Sequence, residues 1–484
     1  MSPFSYDAFV SGEKRGIRPR FLEALCDLDT PVSYFMKMRY AYPQGHAFLL
    51  ESAEQKERTG RFSIIGFEPY LVFKSKGRRV ILEGIIEDEF DAENPFYVLR
   101  EILKSLRLEG QPPVRPFLGP TGYVAYELVR FFERIPEKNA RTIDIYDMYF
   151  LFPRRIVIFD NYTRRMTMAT VCVGDTEDLS EKEALEELKI MVRFPLSSVS
   201  TKAVRVTGIE ATTSKEEFES MVRAAKQYIY EGEVIQVVLS QRFKVTANID
   251  SLSLYRALRF INPSPYMFFL DLPEYGLIGS SPETMVKMEA GEIEVRPIAG
   301  TRPRGKTEQQ DNRLAEELLS DEKEVAEHVM LVDLGRNDVG RVSRTGTVVL
   351  PEFMKIERYS HVMHIVSSVK GRIREGLDAF DAFASCFPAG TVTGAPKIRA
   401  MEIIEELERE RREFYAGAVG YFTYDGDMDF CIAIRTLLKR GNEIYVQAGA
   451  GIVADSSPEK EYYETLSKAE ALMASIRGLK EAIS

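Results

Sequence analysis

The 484-residue chain reads as an α+β protein built in layers. Two observations predict this class. Strand-like segments recur in both halves, and the helical segments between them do not alternate with strands one for one, as they would in a doubly wound parallel sheet. Hydrophobic residues make up 45% of the chain, enough for a large core, against 29% charged residues for an ordinary surface.

In chain order, the first part to about Arg193 is mainly strands and turns with a few helices. Ile156–Asp160 and Met166–Val173, separated by Asn161–Arg164, read as a hairpin. Glu181–Val192 reads as an amphipathic helix, after which periodicity is lost over Phe194–Lys202. That loss divides an N-terminal domain, 1–195, from a second domain, 205–480. The second domain opens on a helix capped by Ser214, with Glu217 completing a capping box and Gly232 beyond its end. Val234–Val245 follows as a long strand. Further strands are expected around Val362–Val369, Tyr415–Tyr424 and Ile444–Val446, and helices over Asp311–Leu334, Lys397–Arg411 and Pro458–Arg477.

The formal net charge of −10 argues against broad affinity for nucleic acid or anionic membranes. Cys26, Cys172, Cys386 and Cys431 are scattered and form no C-x-x-C pair, which excludes a disulfide framework or structural zinc site and suits a reducing compartment. Met1–Gly16 contains no apolar run of signal-peptide length, and no stretch is apolar enough to span a bilayer, so a cytoplasmic protein is expected. The chain contains no tryptophan.

Several residues could carry chemistry. Glu324/Glu327 and Glu461/Glu464 are carboxylate pairs at i, i+3, each on one helix face. Four convergent carboxylates would suit a hard cation such as magnesium. Glu402/Glu405 and Glu405/Glu408 repeat the spacing and read as solvated faces. Gln447–Val453 reads as a glycine-rich turn between a strand and a helix with Ser457 as cap and Pro458 at its first position, where backbone N–H groups could approach an anion. Phe387–Lys397 superficially suggests a nucleotide phosphate loop, but three residues separate Gly390 from Gly394 and no Gly-Lys-Ser/Thr follows, so ATP binding is rejected. His364 lies in a predicted buried strand, either as a satisfied core residue or as an acid or base. Arg435 is a charge in an apolar strand, paired internally or with a dicarboxylate ligand. Together these imply an enzyme acting on a small carboxylate, without fixing a reaction.

Pro297–Gly305, Glu327–Asp338, Gly390–Lys397 and Gln447–Ser456, in that order, resemble the chorismate-utilising enzymes. Within them the chain resembles the large subunit of the anthranilate-forming branch. The resemblance implies a layered αβ sandwich with an interleaved N-terminal regulatory domain and a deep central cleft. It also implies magnesium held by Glu327 and Glu464, with Glu324 and Glu461 beside them. Gly300, Thr301, Tyr415, Arg435, Lys468 and the Gly449–Ala450–Gly451 backbone would bind substrate. Glu283 would protonate the departing 4-hydroxyl, ammonia would add at C2, His364 would act in the loss of pyruvate, and Thr391 would lie near the leaving group.

Two positions choose a branch. Water-activating relatives carry a lysine where this chain has Gln236, and the folate branch, which makes aminodeoxychorismate, carries a lysine nucleophile where it has Ala299. Leu49–Ser52 and Asn262–Met267 resemble a feedback site for tryptophan, using Ser52, Pro265, Tyr266 and Met267. No cysteine stands in a glutaminase context, so glutamine would serve only through a separate amidotransferase subunit in a hetero-oligomer. A catalytically silent tryptophan sensor is the alternative of another class; Glu283, His364 and the helix carboxylates speak against it.

Overall fold

The computed structural model describes residues 3–43, 45–52, 60–174, 186, 206–359 and 362–477. The helix expected over Glu181–Val192, Glu186 apart, and the expected boundary at 194–202 lie outside these residues.

Strand pairing sets the architecture. The two long strands Phe62–Lys76 and Met148–Asp160 pair antiparallel along most of their length and belong to two wings. Through Ala47–Glu51 the first wing continues to Tyr266–Asp271, Gly276–Ser281, Thr436–Arg440, Glu443–Ile452 and Gln236–Ala247. Through Leu118–Val124 the second continues to Ala418–Thr423, Met428–Ile432, Thr284–Glu289, Glu292–Val295 and Val362–Arg372. Strands from before and after residue 195 therefore hydrogen-bond to one another in both wings. The expected hairpin forms, with Ile156–Asp160 paired to Arg165–Ala169.

Helices cover the outer faces. Pro458–Arg477 and Lys215–Tyr230 pack on the first wing, Glu322–Val342 and Ala379–Cys386 on the second. Buried aromatic and branched side chains such as Phe150, Phe268, Phe422 and Phe430 form one large core cluster spanning both wings. This is a layered αβ sandwich.

Local signals explain the boundaries. Ser214 accepts from the Glu217 amide at 3.2 Å while Glu217 accepts from the Ser214 amide at 3.0 Å, closing the capping box. The single helix expected over Asp311–Leu334 is two, Glu308–Ser320 and Glu322–Val342. Asp321 takes an extended conformation, and its carboxylate accepts from the Lys323 and Glu324 amides, so the first helix stops where the second is capped. Gln447–Val453 is not a turn: all but Val453 lies in the strand Glu443–Ile452, paired with Gln236–Ala247. Arg435 is not in a strand either; it stands between Met428–Ile432 and Thr436–Arg440 with φ +51°.

The charged faces expected at Glu405 and Glu408 are buried. Glu405 accepts from Arg130 at 2.7 Å and from the Lys138 and Asn139 amides, and Glu408 is paired with Arg412. Glu405 draws its partners from a segment distant in the chain, and Arg412 lies one turn from Glu408 but beyond the end of the helix Lys397–Leu407.

Candidate active site

The site forms where the two wings face each other. Gln236 begins the strand Gln236–Ala247, and its amide donates to Glu327 Oε1 at 3.0 Å, joining the first wing to the helix Glu322–Val342. A Cβ at Gly451 would run into that amide, and a Cβ at Gly449 would stand 2.6 Å from the Tyr415 hydroxyl. Small residues on this strand are therefore required by close approach. Tyr415 precedes the strand Ala418–Thr423 rather than lying inside one, and burial pushes its hydroxyl up to about 12. Lys468 donates to the Gly449 carbonyl at 3.0 Å and pairs with Glu464 at 2.8 Å.

Across the cleft, Gly300 and Thr301 form a bulge in the pairing of Ile298–Pro303 with Val362–Arg372. Gly300 has φ +66°, and a Cβ there would meet Leu318 Cδ1 at 2.9 Å and Glu324 Oε2 at 3.2 Å. The bulge turns the Gly300 carbonyl toward His364 Nδ1, 2.8 Å away, with Thr301 Oγ1 at 3.1 Å. His364 is only half-buried. Met363 and Ile365 point into a core cluster and His364 points the other way, as alternation along a strand demands. An Nδ1–H donated to Gly300 leaves Nε2 as the free basic nitrogen. Burial lowers the imidazole's pKa; the Gly300 bond offsets part of this, and the Arg435 charge lowers it again.

Gly300→Ala is expected to cost about 1–2 kcal/mol from the left-handed backbone alone, with the Leu318 and Glu324 contacts adding to it. A urea unfolding curve checks this, and no loss would show that the bulge relaxes freely.

Glu283 is buried. Desolvation pushes its carboxyl up to about 8, partly offset by nearby Thr391 and the Ile298 amide. Thr391 makes no hydrogen bond of standard geometry. Pro282 and Thr284, on either side of Glu283, face a separate cavity, so this extended segment is a wall between two spaces. Arg435 is half-buried, and desolvation lowers its pKa; among the described residues its guanidinium donates to Asn262 Oδ1 at 3.4 Å and forms no ion pair. Such a guanidinium is an incomplete pair awaiting an anion.

The helix carboxylates do not converge as expected. They stand as two pairs, and no group of three or more His, Cys, Asp or Glu side chains able to hold a metal comes together among the described residues. Each pair instead takes a basic neighbour: Arg302 reaches Glu324 at 3.4 Å, and Lys468 holds Glu464. The pairs are nevertheless linked, because Glu461 feels the charge of Lys323 on the helix of Glu324. Burial raises the Glu324 and Glu461 pKa values, and each like-charged partner raises them further. Hard oxygen donors under mutual repulsion are a set that a divalent cation stabilises.

Ser52, Pro265, Tyr266 and Met267 all line the second cavity, of about 1040 Å³. Tyr266 donates to Asp429 at 2.9 Å and lies 2.9 Å from the Thr284 hydroxyl. The strands Ala47–Glu51 and Tyr266–Asp271 pair directly, with Glu51 opposite Met267, which brings the two segments together.

Sequence reasoning missed the buried Asp338–Lys397 pair at 2.6 Å, which ties Glu327–Asp338 to Gly390–Lys397. Both residues end motifs already singled out, and that shared position was the available signal. Tyr359, edge-on to His364 at 5.5 Å, had no such signal.

The fold and the site define a layered αβ sandwich in which the strand of Gln236 meets the helix of Glu327. Comparison with known proteins gives the family. Residues 45–474 match the chorismate binding enzyme family, and the chain belongs to it. It is 46% identical to anthranilate synthase component 1 of Aquifex aeolicus, over 97% of each chain. It is 45% identical to the component 1 of Thermus thermophilus, covering 95% of this chain and 98% of that one. The crystal structure of anthranilate synthase component I from Streptococcus pneumoniae superposes with a TM-score of 0.76 at 35% identity, over 93% of this chain and 98% of that chain. Among the described residues no helix is long and apolar enough to cross a membrane.

Proposed function

We propose that the chain is the chorismate-converting component of an anthranilate synthase, turning chorismate and ammonia into anthranilate and pyruvate at the entry to tryptophan synthesis. The observation that carries the reading is an acid and a base set along one strand, Glu283 beside Ile298 and His364 beside Gly300. Glu283 holds its proton to about pH 8, and His364 presents a free Nε2.

Glu283 gives its proton to the 4-hydroxyl, which leaves as water while ammonia bonds to C2 and the ring double bonds shift. His364 Nε2 then takes the C2 proton as the C3–oxygen bond breaks. The ring becomes aromatic, and the departing enolpyruvate is protonated to pyruvate. Arg435, Tyr415, Thr301 and the Gly449–Gly451 backbone hold the substrate, with Lys468 at one carboxylate. Gln236 has no basic nitrogen and is engaged by Glu327, and Ala299 offers no amine. Neither can activate water or attack the ring, which leaves ammonia as the nucleophile.

Magnesium, when bound, supplies positive charge for the substrate's ring carboxylate. Glu327 and Glu464 would hold it, with Glu324 and Glu461 beside them. Burial drives the Cys386 and Cys431 thiols well up, so they suit no glutaminase nucleophile. Ammonia derived from glutamine would come from a second, amidotransferase component, consistent with relatives named component 1. The cavity lined by Ser52, Pro265, Tyr266 and Met267 suits feedback tryptophan, with Ser52 from an N-terminal regulatory half, 1–195, and the other three from the catalytic half, 205–480, into whose sheets it is laid.

Product analysis tests the reading. Chromatography of the chain with chorismate, ammonium and magnesium gives anthranilate, and added tryptophan suppresses it. Isochorismate or aminodeoxychorismate as the end product would move the chain to another branch, and tryptophan binding without turnover would make it a sensor.

A further inference from the structure

Arg412 is one of the largest fully buried side chains of the protein, with 1% exposure. Four of its five N–H groups donate within the protein. Nε and Nη2 form a fork on Glu408 at 2.9 and 2.7 Å, Nη1 donates to the Val392 carbonyl at 2.6 Å, and Nη2 donates to the Val238 carbonyl at 2.8 Å. Its guanidinium also lies over the rings of Tyr415 and Tyr126, at 5.5 and 5.1 Å.

The segments it touches all belong to the site. Val392 follows Thr391 in the short turn Gly390–Val392. Val238 lies on the strand that begins with Gln236 and is paired with Gly451, and its amide donates to the Thr393 carbonyl. Tyr415 packs against Gly449. Glu408, the counter-charge, is itself fixed by the amide and hydroxyl of Ser240, both at 2.8 Å. Nothing else among the described residues joins these three segments through one side chain.

We propose that Arg412 is a positioning residue for the reaction: it holds the Thr391 turn, the Gln236 strand and the Tyr415 ring in mutual register while touching no substrate itself. A planar fork can serve a carboxylate and two carbonyls on separate segments at once; a lysine ammonium, as a point charge on a flexible stem, cannot. A cation with 1% exposure whose charge is already paired with Glu408 is not placed to take a ligand carboxylate. Arg435 differs on that point, since its guanidinium has no ion pair among the described residues.

The inference rests on the proposed reaction, and the experiment separates the two. Steady-state anthranilate formation is measured for the parent chain and for Arg412→Lys, at a temperature where circular dichroism shows both folded. Displacing the turn and the ring by a fraction of an ångström is expected to lower kcat between about 10- and 100-fold. The KM for chorismate should rise by less than kcat falls, because Arg435, Thr301 and Lys468 keep their hold while Tyr415 shifts. A parent-like kcat in folded Arg412→Lys overturns the proposal, as does a rise in KM that accounts for the whole loss. Should Arg412→Lys not fold, Glu408→Gln replaces it: the fork loses its charged partner but keeps both carbonyl bonds. A kcat loss of about three-fold or more at unchanged KM supports the proposal, and parent-like kinetics overturn it. A parent chain that makes no anthranilate removes the proposed reaction, and this role falls with it.

Discussion

Glu283→Gln is expected to lower kcat for anthranilate formation by about 10²- to 10⁴-fold, the usual contribution of a positioned general acid, or about 3–5 kcal/mol of barrier. The shape of the side chain is kept, so chorismate should still bind. Both the acid and its difficulty follow from one cause, since enclosure raises the carboxyl's pKa to about 8 and thereby keeps it protonated at neutral pH. Activity should therefore fall as pH rises through about 8, once rates are corrected for the free ammonia present at each pH.

The same shift makes a stability prediction of opposite sign. The native carboxyl titrates near 8 and the unfolded one near its ordinary value of 4.5. Between those values the unfolded chain releases this proton and the native one does not, so the residue's contribution to stability is present below 4.5 and lost as pH rises toward 8. Glu283→Gln removes that dependence. Thermal melts should show the variant gaining on the parent as pH rises through this window, by a margin of a few kcal/mol near neutrality. A variant that is inactive and no less stable would mark Glu283 as held against its own solvation for function; unchanged kcat would remove it from the mechanism.

His364→Ala is expected to uncouple the two steps. Formation of anthranilate should drop by at least about 10²-fold, while chorismate is still consumed and aminodeoxyisochorismate accumulates, visible by chromatography. Only Nε2 of His364 is free to take the C2 proton, because Nδ1 is spent on the Gly300 carbonyl. The structural cost is small, since one hydrogen bond of a half-buried ring contributes about 1 kcal/mol. Normal anthranilate output, or loss of chorismate consumption as well, would take the second proton transfer away from this residue.

How much of this the sequence discloses depends on whether the partner of a residue is local. The Ser214 capping box, the 156–173 hairpin and the last helix depend on residues a few positions apart and are read correctly. Gln447–Val453 misleads because its glycines answer to packing against Gln236 and Tyr415, which lie far away in sequence, and not to a turn. The break at Asp321 is legible in retrospect, since Asp321 followed by Glu324 is a helix start, but the continuous polar and apolar periodicity hid it. Glu405 and Glu408 read as surface because charge at helical spacing is usually solvated; the distant Arg130 and the Lys138 and Asn139 amides make the first interior, and the distant Ser240 joins the nearby Arg412 on the second. In the site, motif resemblance picks out Glu283, His364 and Arg435. The bulge at Gly300 that aims His364 and the wall shared by Glu283 and the second cavity require the fold.

The most direct test of the central claim is anthranilate fluorescence from the purified chain with chorismate, ammonium and magnesium at mildly alkaline pH, run with and without a chelator. A steady rise with ammonium is expected, abolished by the chelator and restored by added magnesium, with no rise when glutamine replaces ammonium. Chelator-insensitive turnover would contradict the assignment of the helix carboxylates, and absence of anthranilate under every condition would contradict the account as a whole.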